Sequence, residues 1–321
     1  LTSLASDVSA RRPLARHQNS AHLSVLMECA ATSRSVSKQF TLRSSREGAG
    51  FVIRRSIGSS SVTTKETDPF LMLDELPVTN YRPGEFPGAP WHPHRGMDTV
   101  MYVKQGTCGH EDSMGNKGVL KDGDCQWMTA ASGIEHNEGT GHPGGPLHGF
   151  QCWINLPAKH KMDPPAYNDM SASSIPSIAP AAGVRAKVIV GECGGVKSLI
   201  SPIVEVQYLD FMLEGGATYE HALPATFETC IVHVYRGAGA FGKEATQAKE
   251  GQCLLFGGGT SVAFAAGDGG CDFLLLAGVP LREPVVWHGP FVMNTQAQIQ
   301  ECFRDLQSGN FIKSKATGGR I

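Results

Sequence analysis

No Cys-x-x-Cys pair occurs in this chain, although it has nine cysteines. That spacing marks thiolate zinc sites and dithiol redox motifs, so neither is indicated. The cysteines (Cys29, Cys108, Cys125, Cys152, Cys193, Cys230, Cys253, Cys271 and Cys302) are odd in number and scattered. Most lie in apolar runs such as Cys230-Ile-Val and Cys253-Leu-Leu-Phe, and they read as reduced core residues of a reducing compartment. No run approaches the ~20 apolar residues of a membrane-spanning helix. Charged residues are only 18% and the net charge is −2, so no basic face for nonspecific nucleic-acid binding is indicated. What is plentiful is glycine, 38 in 321 residues, which favours short strands and tight turns over long charged helices.

From Gly48 onward the texture is that of a β-protein. Phe51-Val-Ile-Arg-Arg-Ser-Ile, Phe70-Leu-Met-Leu, Thr99-Val-Met-Tyr-Val and Gly149-Phe-Gln-Cys-Trp-Ile are short apolar runs. Turns such as Arg82-Pro-Gly, Lys121-Asp-Gly-Asp and Pro143-Gly-Gly-Pro separate them, the pattern of a sandwich or barrel. The first 46 residues differ. Arg11, Arg12, Arg16, Arg34, Lys38, Arg43 and Arg46 face only Asp7 and Glu28 in a Ser/Ala-rich setting, which is expected to be a disordered or transit-like tail. Met27 is an alternative start within it. A Pro- and Ser-rich stretch after Pro164-Pro165 reads as a linker. The expected division is a tail 1–46, a barrel 47–165, a linker 166–182 and a second barrel 183–321 that carries a C-terminal helix. That helix is marked by Ala297, Ile299, Cys302, Phe303 and Leu306 at three-to-four spacing, with Gly309 ending it.

Two short stretches carry the chemistry: His92-Pro93-His94 and His136-Asn137-Glu138. Each places two metal-binding side chains at i and i+2, which a strand points to the same face. One such pair also arises by chance on an exposed strand. Two pairs, on strands lying across a small barrel, would bring three imidazoles and one carboxylate together. Three nitrogens and one oxygen suit Fe(II), Ni(II), Cu(II) or Mn(II).

The two halves of the chain can be overlaid. Asp98-Thr99 matches Glu228-Thr229, and Gly123-Asp-Cys125 matches Gly251-Gln-Cys253, an internal duplication. In that register His92 and His94 fall on Ala222 and Pro224, and the second metal pair falls on the apolar Val262-Ala-Phe-Ala-Ala266. The second barrel is therefore expected to bind no metal, with His221 and His233 structural.

Long motifs then carry a resemblance. Trp91-His-Pro-His-Arg-Gly-Met-Asp-Thr-Val, His110-Glu-Asp-Ser-Met-Gly-Asn-Lys-Gly and Gly123-Asp-Cys-Gln-Trp-Met-Thr-Ala-Ala-Ser-Gly-Ile-Glu-His-Asn-Glu resemble the pirin family of bicupins. Asp68-Pro-Phe-Leu-Met-Leu-Asp-Glu and Pro280-Leu-Arg-Glu-Pro-Val-Val-Trp-His-Gly-Pro-Phe-Val-Met-Asn extend the match to nearly everything from Glu47 on. The resemblance implies an all-β chain of two packed cupin barrels, each a double-stranded β-helix. It implies iron held by His92, His94, His136 and Glu138 in the first barrel, with none in the second. Asp98 stands where the family usually has Glu, and is expected to orient a ligand histidine from behind. Ala131-Ser132 stands where many members have Ala-Gly.

The family is similar to quercetin 2,3-dioxygenases, which implies a flavonol and dioxygen as substrates and Glu138 as the base that takes a flavonol proton. Fe(II) is the expected metal, with Ni, Cu, Mn and Co as other divalent choices. Met97, Trp127, Met128 and Phe150, near the ligands in sequence, are the candidate substrate pocket; ordinary barrel core is the other reading of each. The rival class is a non-enzymatic, iron-dependent redox co-regulator with a protein partner, as implied by animal and plant members. Location is expected to be cytoplasmic or nuclear, with organellar targeting an alternative drawn from the basic tail.

Overall fold

The computed structural model describes residues 32–314 and the backbone of the short strand Thr317–Gly318. It contains two β-barrels, and the strand pairing of the first recurs in the second.

The first barrel closes an eight-stranded sheet over a four-stranded one. The large sheet runs Arg43–Glu47, Phe51–Ile57, Phe70–Tyr81, Gly145–Asn155, Met97–Gln105, Cys125–Thr129, Ala166–Met170 and Thr317–Gly318. The small sheet runs Ala89–His94, Ile134–Glu138, Cys108–Asp112 and Lys117–Leu120. In the second barrel, Val184–Val190, Val206–Leu213, Thr229–Phe241, Gln252–Phe256 and Ser261–Gly278 repeat the pairings of the large sheet. The ends of Thr229–Phe241 and Ser261–Gly278, with Thr218–Ala222 and Thr246–Lys249, repeat those of the small one. Their pairing makes the duplication visible in three dimensions.

Alternation along the strands decides what each face meets. On Gly145–Asn155, Phe150, Cys152 and Ile154 turn toward the second barrel and join Tyr208, Ile231, Tyr235, Leu274 and Leu276 in one core. Gln151 and Trp153 turn inward and line the first barrel's cavity. Tyr102 takes the outer face and Met101 the inner in the same way. The core between barrels also buries charged groups, and two carboxylates there are each paired several times. Asp210 accepts from the Tyr102 hydroxyl at 2.7 Å, the Tyr235 hydroxyl at 2.5 Å and the Lys104 ammonium at 2.6 Å. Glu75 meets His148 at 3.2 Å, His233 at 3.0 Å and Arg54 at 2.7 Å. Burial pushes the Glu75 carboxyl up, but these partners outweigh it and hold the group well below its ordinary value.

Both ends of the described chain cross over. Val36–Thr41 pairs with Gln252–Phe256 of the second barrel, with Val36 and Phe40 turned toward apolar cores. This corrects part of the expected tail. Val36–Thr41 and Arg43–Glu47 are strands, and the first alternates half-buried with exposed side chains; residues 1–31 lie outside the described residues. The expected linker also holds strands, Ala166–Met170 and Ser177–Ala181. Both run beside turns and prolines that a sheet edge tolerates.

The C-terminal segment returns to the first barrel. The Val292 amide donates to the Arg95 carbonyl at 3.0 Å. The Arg95 guanidinium meets Asp305 at 2.7 Å and the Phe311 carbonyl at 2.8 Å, and it lies 4.4 Å over the Phe311 ring. The helix Gln296–Gln307 begins at a Thr295/Gln298 capping box and buries Ile299 and Cys302 against Phe291 and Phe311. The sequence places it with the second barrel, whereas its ion pair to Arg95 ties it to the first. The approach is close enough that a Cβ at Gly96 (φ +89) would stand 2.0 Å from the Val292 carbonyl oxygen.

Lys161 pegs this junction, its ammonium donating to the Gly96 carbonyl at 2.7 Å, the Asn155 side-chain oxygen at 2.6 Å and the Val292 carbonyl at 2.9 Å. Lys161→Met keeps the stem and strands three buried acceptors. Chemical denaturation should show a loss of about 3 kcal/mol or more; a loss below about 1 kcal/mol would contradict the peg.

Candidate metal centre

The strand Ala89–His94 pairs directly with Ile134–Glu138, with His92 opposite His136 and His94 opposite Ile134. The two strands are neighbours rather than facing each other across the barrel, and the imidazoles converge all the same. Ring centroids are 4.3 Å apart for His92 and His136, 4.7 Å for His92 and His94, and 4.9 Å for His94 and His136. One donor atom from each of these three lies within 4.8 Å of the others. A bulge after His136 turns Glu138 back toward the cluster, with Oε1 3.9 Å from His136 Nδ1. Gly88 (φ +62) lets the chain pass there, since a Cβ on it would fall 2.4 Å from the Glu138 carbonyl.

A second triad joins His136 and Glu138 to His110, a residue the spacing argument missed. His110 and Asp112 are themselves an i, i+2 pair on Cys108–Asp112, so strand parity was the signal that could have found it. Its Nε2 lies 3.4 Å from Asp112 Oδ2. Asp98 belongs to neither triad. It is buried on Met97–Gln105, where its charge acts on Lys161.

The donor atoms fit a cation. Neither ring nitrogen of His136 has a hydrogen-bond partner, though both are buried. Buried polar atoms are rarely left so, and a bound cation would take the lone pair of whichever ring nitrogen carries no proton. The Nδ1 of His92 lies 2.7 Å from the Pro90 carbonyl and can only donate to it, which leaves Nε2 free to ligate. Burial, and then the neighbouring histidines, push His94 and His136 well below the ordinary 6.5, so both rings stay neutral, the form that binds metal. Burial pushes the Glu138 carboxyl up, against the opposing pull of His92 and His110.

A cavity of about 680 Å³ opens onto His92, His94 and Glu138. Five Phe and Trp side chains help to wall it: Phe51 packs on Phe86 at 5.3 Å and Trp153 on Trp287 at 5.6 Å, with the exposed Trp91 beside them. Arg55 lies along one side, paired with Asp74 at 2.7 and 2.6 Å. The Gln151 amide oxygen has no hydrogen-bond partner. None of Met97, Trp127, Met128 and Phe150 lines this cavity. Phe150 and Trp127 point the other way, into the core between barrels. Met97 is on the inner face but is covered by Val292, and Met128 packs with Ala130 and Ile134. Closeness in sequence chose them, but strand parity and the returning C-terminal segment decide the wall.

In the second barrel the linear register also needs correction. Thr218–Ala222 pairs with Ser261–Gly278 so that Tyr219 faces Phe264 and His221 faces Val262. The inward pair matching His92 and His94 is Tyr219 and His221, while Ala222 is exposed. Loops of different length between the copies shifted the alignment.

Two cupin barrels packed face to face, one with a histidine–carboxylate cluster at the base of a cavity, define a bicupin with a candidate metal centre. The family model for pirin matches residues 50–154, and the pirin C-terminal cupin domain model matches residues 208–312. A pirin-like protein of Solanum lycopersicum is 40% identical over 86% of this chain and 92% of its own length. The structure of a quercetin 2,3-dioxygenase from Acinetobacter baumannii superposes with a TM-score of 0.81 at 32% identity, covering 87% of this chain and 98% of that one. A bacterial pirin from Escherichia coli, solved in complex with nickel(II), shares the fold with a TM-score of 0.58 at 18% identity, over 76% of this chain and 99% of its own. The chain belongs to the pirin family. Among its described residues no helix is long and apolar enough to cross a membrane.

The shifted histidines set a pH dependence. The unfolded chain takes up protons near pH 6.5 while the fold resists them at His94 and His136. Metal-stripped protein should therefore lose stability as pH falls below about 6.5, by up to about 2.7 kcal/mol per pH unit for two protons. Glu138, raised in the fold, offsets part of this nearer its ordinary 4.5. Urea denaturation between pH 7.5 and 5 checks the slope, and His136→Asn should flatten it; equal slopes in the two proteins would contradict the assignment.

Proposed function

We propose that the first barrel is a metal-dependent dioxygenase site of the quercetin 2,3-dioxygenase type, taking a flavonol and dioxygen. The observation that carries this reading is the His92/His94/His136 triad with Glu138 beside it, reached by a cavity that His92, His94 and Glu138 line together with five Phe and Trp side chains. A volume of about 680 Å³ is in the range for a planar ligand of flavonol size. His92, His94, His136 and Glu138 would hold Fe(II), or Ni, Cu, Mn or Co in its place; one metal per chain is expected, since the second barrel packs Phe211, Phe264 and Phe273 around its single inward histidine. A divalent ion bound there supplies Lewis acidity that lowers the pKa of a hydroxyl beside it.

The chain's own groups do the rest. Trp153, Trp287 and Phe86 sandwich the flat rings and exclude water. Glu138 takes the flavonol hydroxyl proton: the O–H bond breaks, and the pair left on oxygen makes the ring system electron-rich toward dioxygen. Asp98 supports from behind, through its charge on the Lys161 peg.

Oxygen uptake with quercetin, on protein loaded with Fe(II) and assayed for metal, tests the reading. Wild type should consume dioxygen. Glu138→Gln keeps an oxygen donor but not the base, so activity should fall by about 10²-fold or more while most metal remains. His94→Ala should lose most of its metal. Metal-replete wild type that turns over no flavonol would sink the enzyme reading in favour of a redox-dependent binding role, and Glu138→Gln at full activity would remove the base assignment.

A further inference from the structure

The second barrel has a cavity of its own, of about 840 Å³, bounded by the segment from Gly191 to Gln207 and by Thr218–Ala222. Three chemically distinct groups line up in its wall. Cys193 Sγ lies 3.7 Å from His221 Nδ1, and His221 Nε2 lies 2.9 Å from Gln207 Oε1. All three residues are buried, at 1%, 2% and 5% exposure. An amide oxygen can only accept, so the ring proton is on Nε2 and the Nδ1 lone pair faces the thiol. Gln207 is held in place by Gly191 (φ +91), where a Cβ would come within 2.5 Å of Gln207 Cγ. The Tyr219 hydroxyl is also within hydrogen-bonding reach of the sulfur. His221 occupies the strand position that His94 holds in the first barrel, so the second copy keeps the inward histidine and gives it a thiol in place of metal-binding partners.

We propose that Cys193, with His221 as its base and Gln207 as the group orienting that base, is a nucleophilic thiol site for small carbon electrophiles of the enone or quinone class. The sulfur forms a bond to the β-carbon, and the alkene π pair moves to the carbonyl as an enolate. The thiol proton passes to His221 Nδ1 and then to the enolate. The product is a thioether; no bond to a leaving group breaks, and no oxidant is consumed. Burial pushes the thiol up and holds His221 down at about 4, so the pair rests neutral and the proton must move as the sulfur attacks. Ile200, Val204, Leu223 and Phe227 give the cavity apolar sides for such a ligand.

N-ethylmaleimide, itself an enone-type electrophile, tests this on the full folded chain, with peptide mapping to assign the sites. The eight cysteines of the described residues are all buried. Cys193 should nonetheless label at least about tenfold faster than the other seven, because it alone among them has a base in contact. Its rate should change little from pH 5.5 to 8, since His221 is already neutral there. In His221→Asn the rate should fall at least about tenfold and then climb with pH as a free thiolate's does. Gln207→Leu should slow labelling while the protein stays folded with its metal content preserved, which keeps the test alive if His221→Asn fails to fold. Cys193 labelling no faster than the other buried cysteines, or labelling of either folded variant at the wild-type rate and pH profile, overturns the proposal.

Discussion

The packing of one barrel's sheet on the other's is the constraint on which the rest of the structure depends. Each inner strand of the first barrel has one face in that packing and the other in the cavity. Phe150, Cys152 and Ile154 are committed to the shared core, and this obliges Gln151 and Trp153 to face the metal cluster. A one-residue slip in register would exchange the two sets, so the core that stabilises the pair of barrels also specifies the wall of the site. The buried polar groups at the junction add to that specification. Asp210 and Glu75 are each satisfied from more than one strand, and a slipped sheet would leave charged groups buried without partners.

The second constraint is electrostatic. His94, His136 and Glu138 are held together out of water, and each is pushed toward its neutral form. Such a cluster costs stability unless something compensates. A bound cation would do so by taking the lone pair that His136 leaves unused. The walls around it come from remote parts of the chain. Trp287 and Pro290 arrive from beyond the second barrel, held by the Arg95 and Lys161 contacts. Closing the site therefore requires the C-terminal segment to dock, which links the metal centre to the integrity of the whole chain.

The second barrel shows what duplication leaves when the ligands go. Phe211, Phe264 and Phe273 pack together in its interior, and among the described residues no group of three potential metal ligands gathers there. His221 stayed inward and took up Gln207 and Cys193 instead.

The sequence by itself determined the class of fold, the duplication and the i, i+2 pairs that bring His92, His94 and His136 together with Glu138 beside His136. Strand periodicity is local, and an i, i+2 pair shares a face wherever the strand lies. It did not determine which side chains wall the cavity. Met97, Trp127, Met128 and Phe150 are near the ligands along the chain, but inward or outward facing is settled by which sheet packs on which. Trp287 and Pro290 carry no local mark of their role, because only a long-range contact brings them to His94. His110 lay in a stretch legible as strand, yet its place beside His136 depends on pairing between Cys108–Asp112 and Ile134–Glu138. The strand Val36–Thr41 was hidden by its basic, serine-rich surface, and it became visible as structure only where the second barrel offered an edge to pair with. In each of these cases the deciding energy lies in contacts between residues far apart in sequence, which no local pattern encodes.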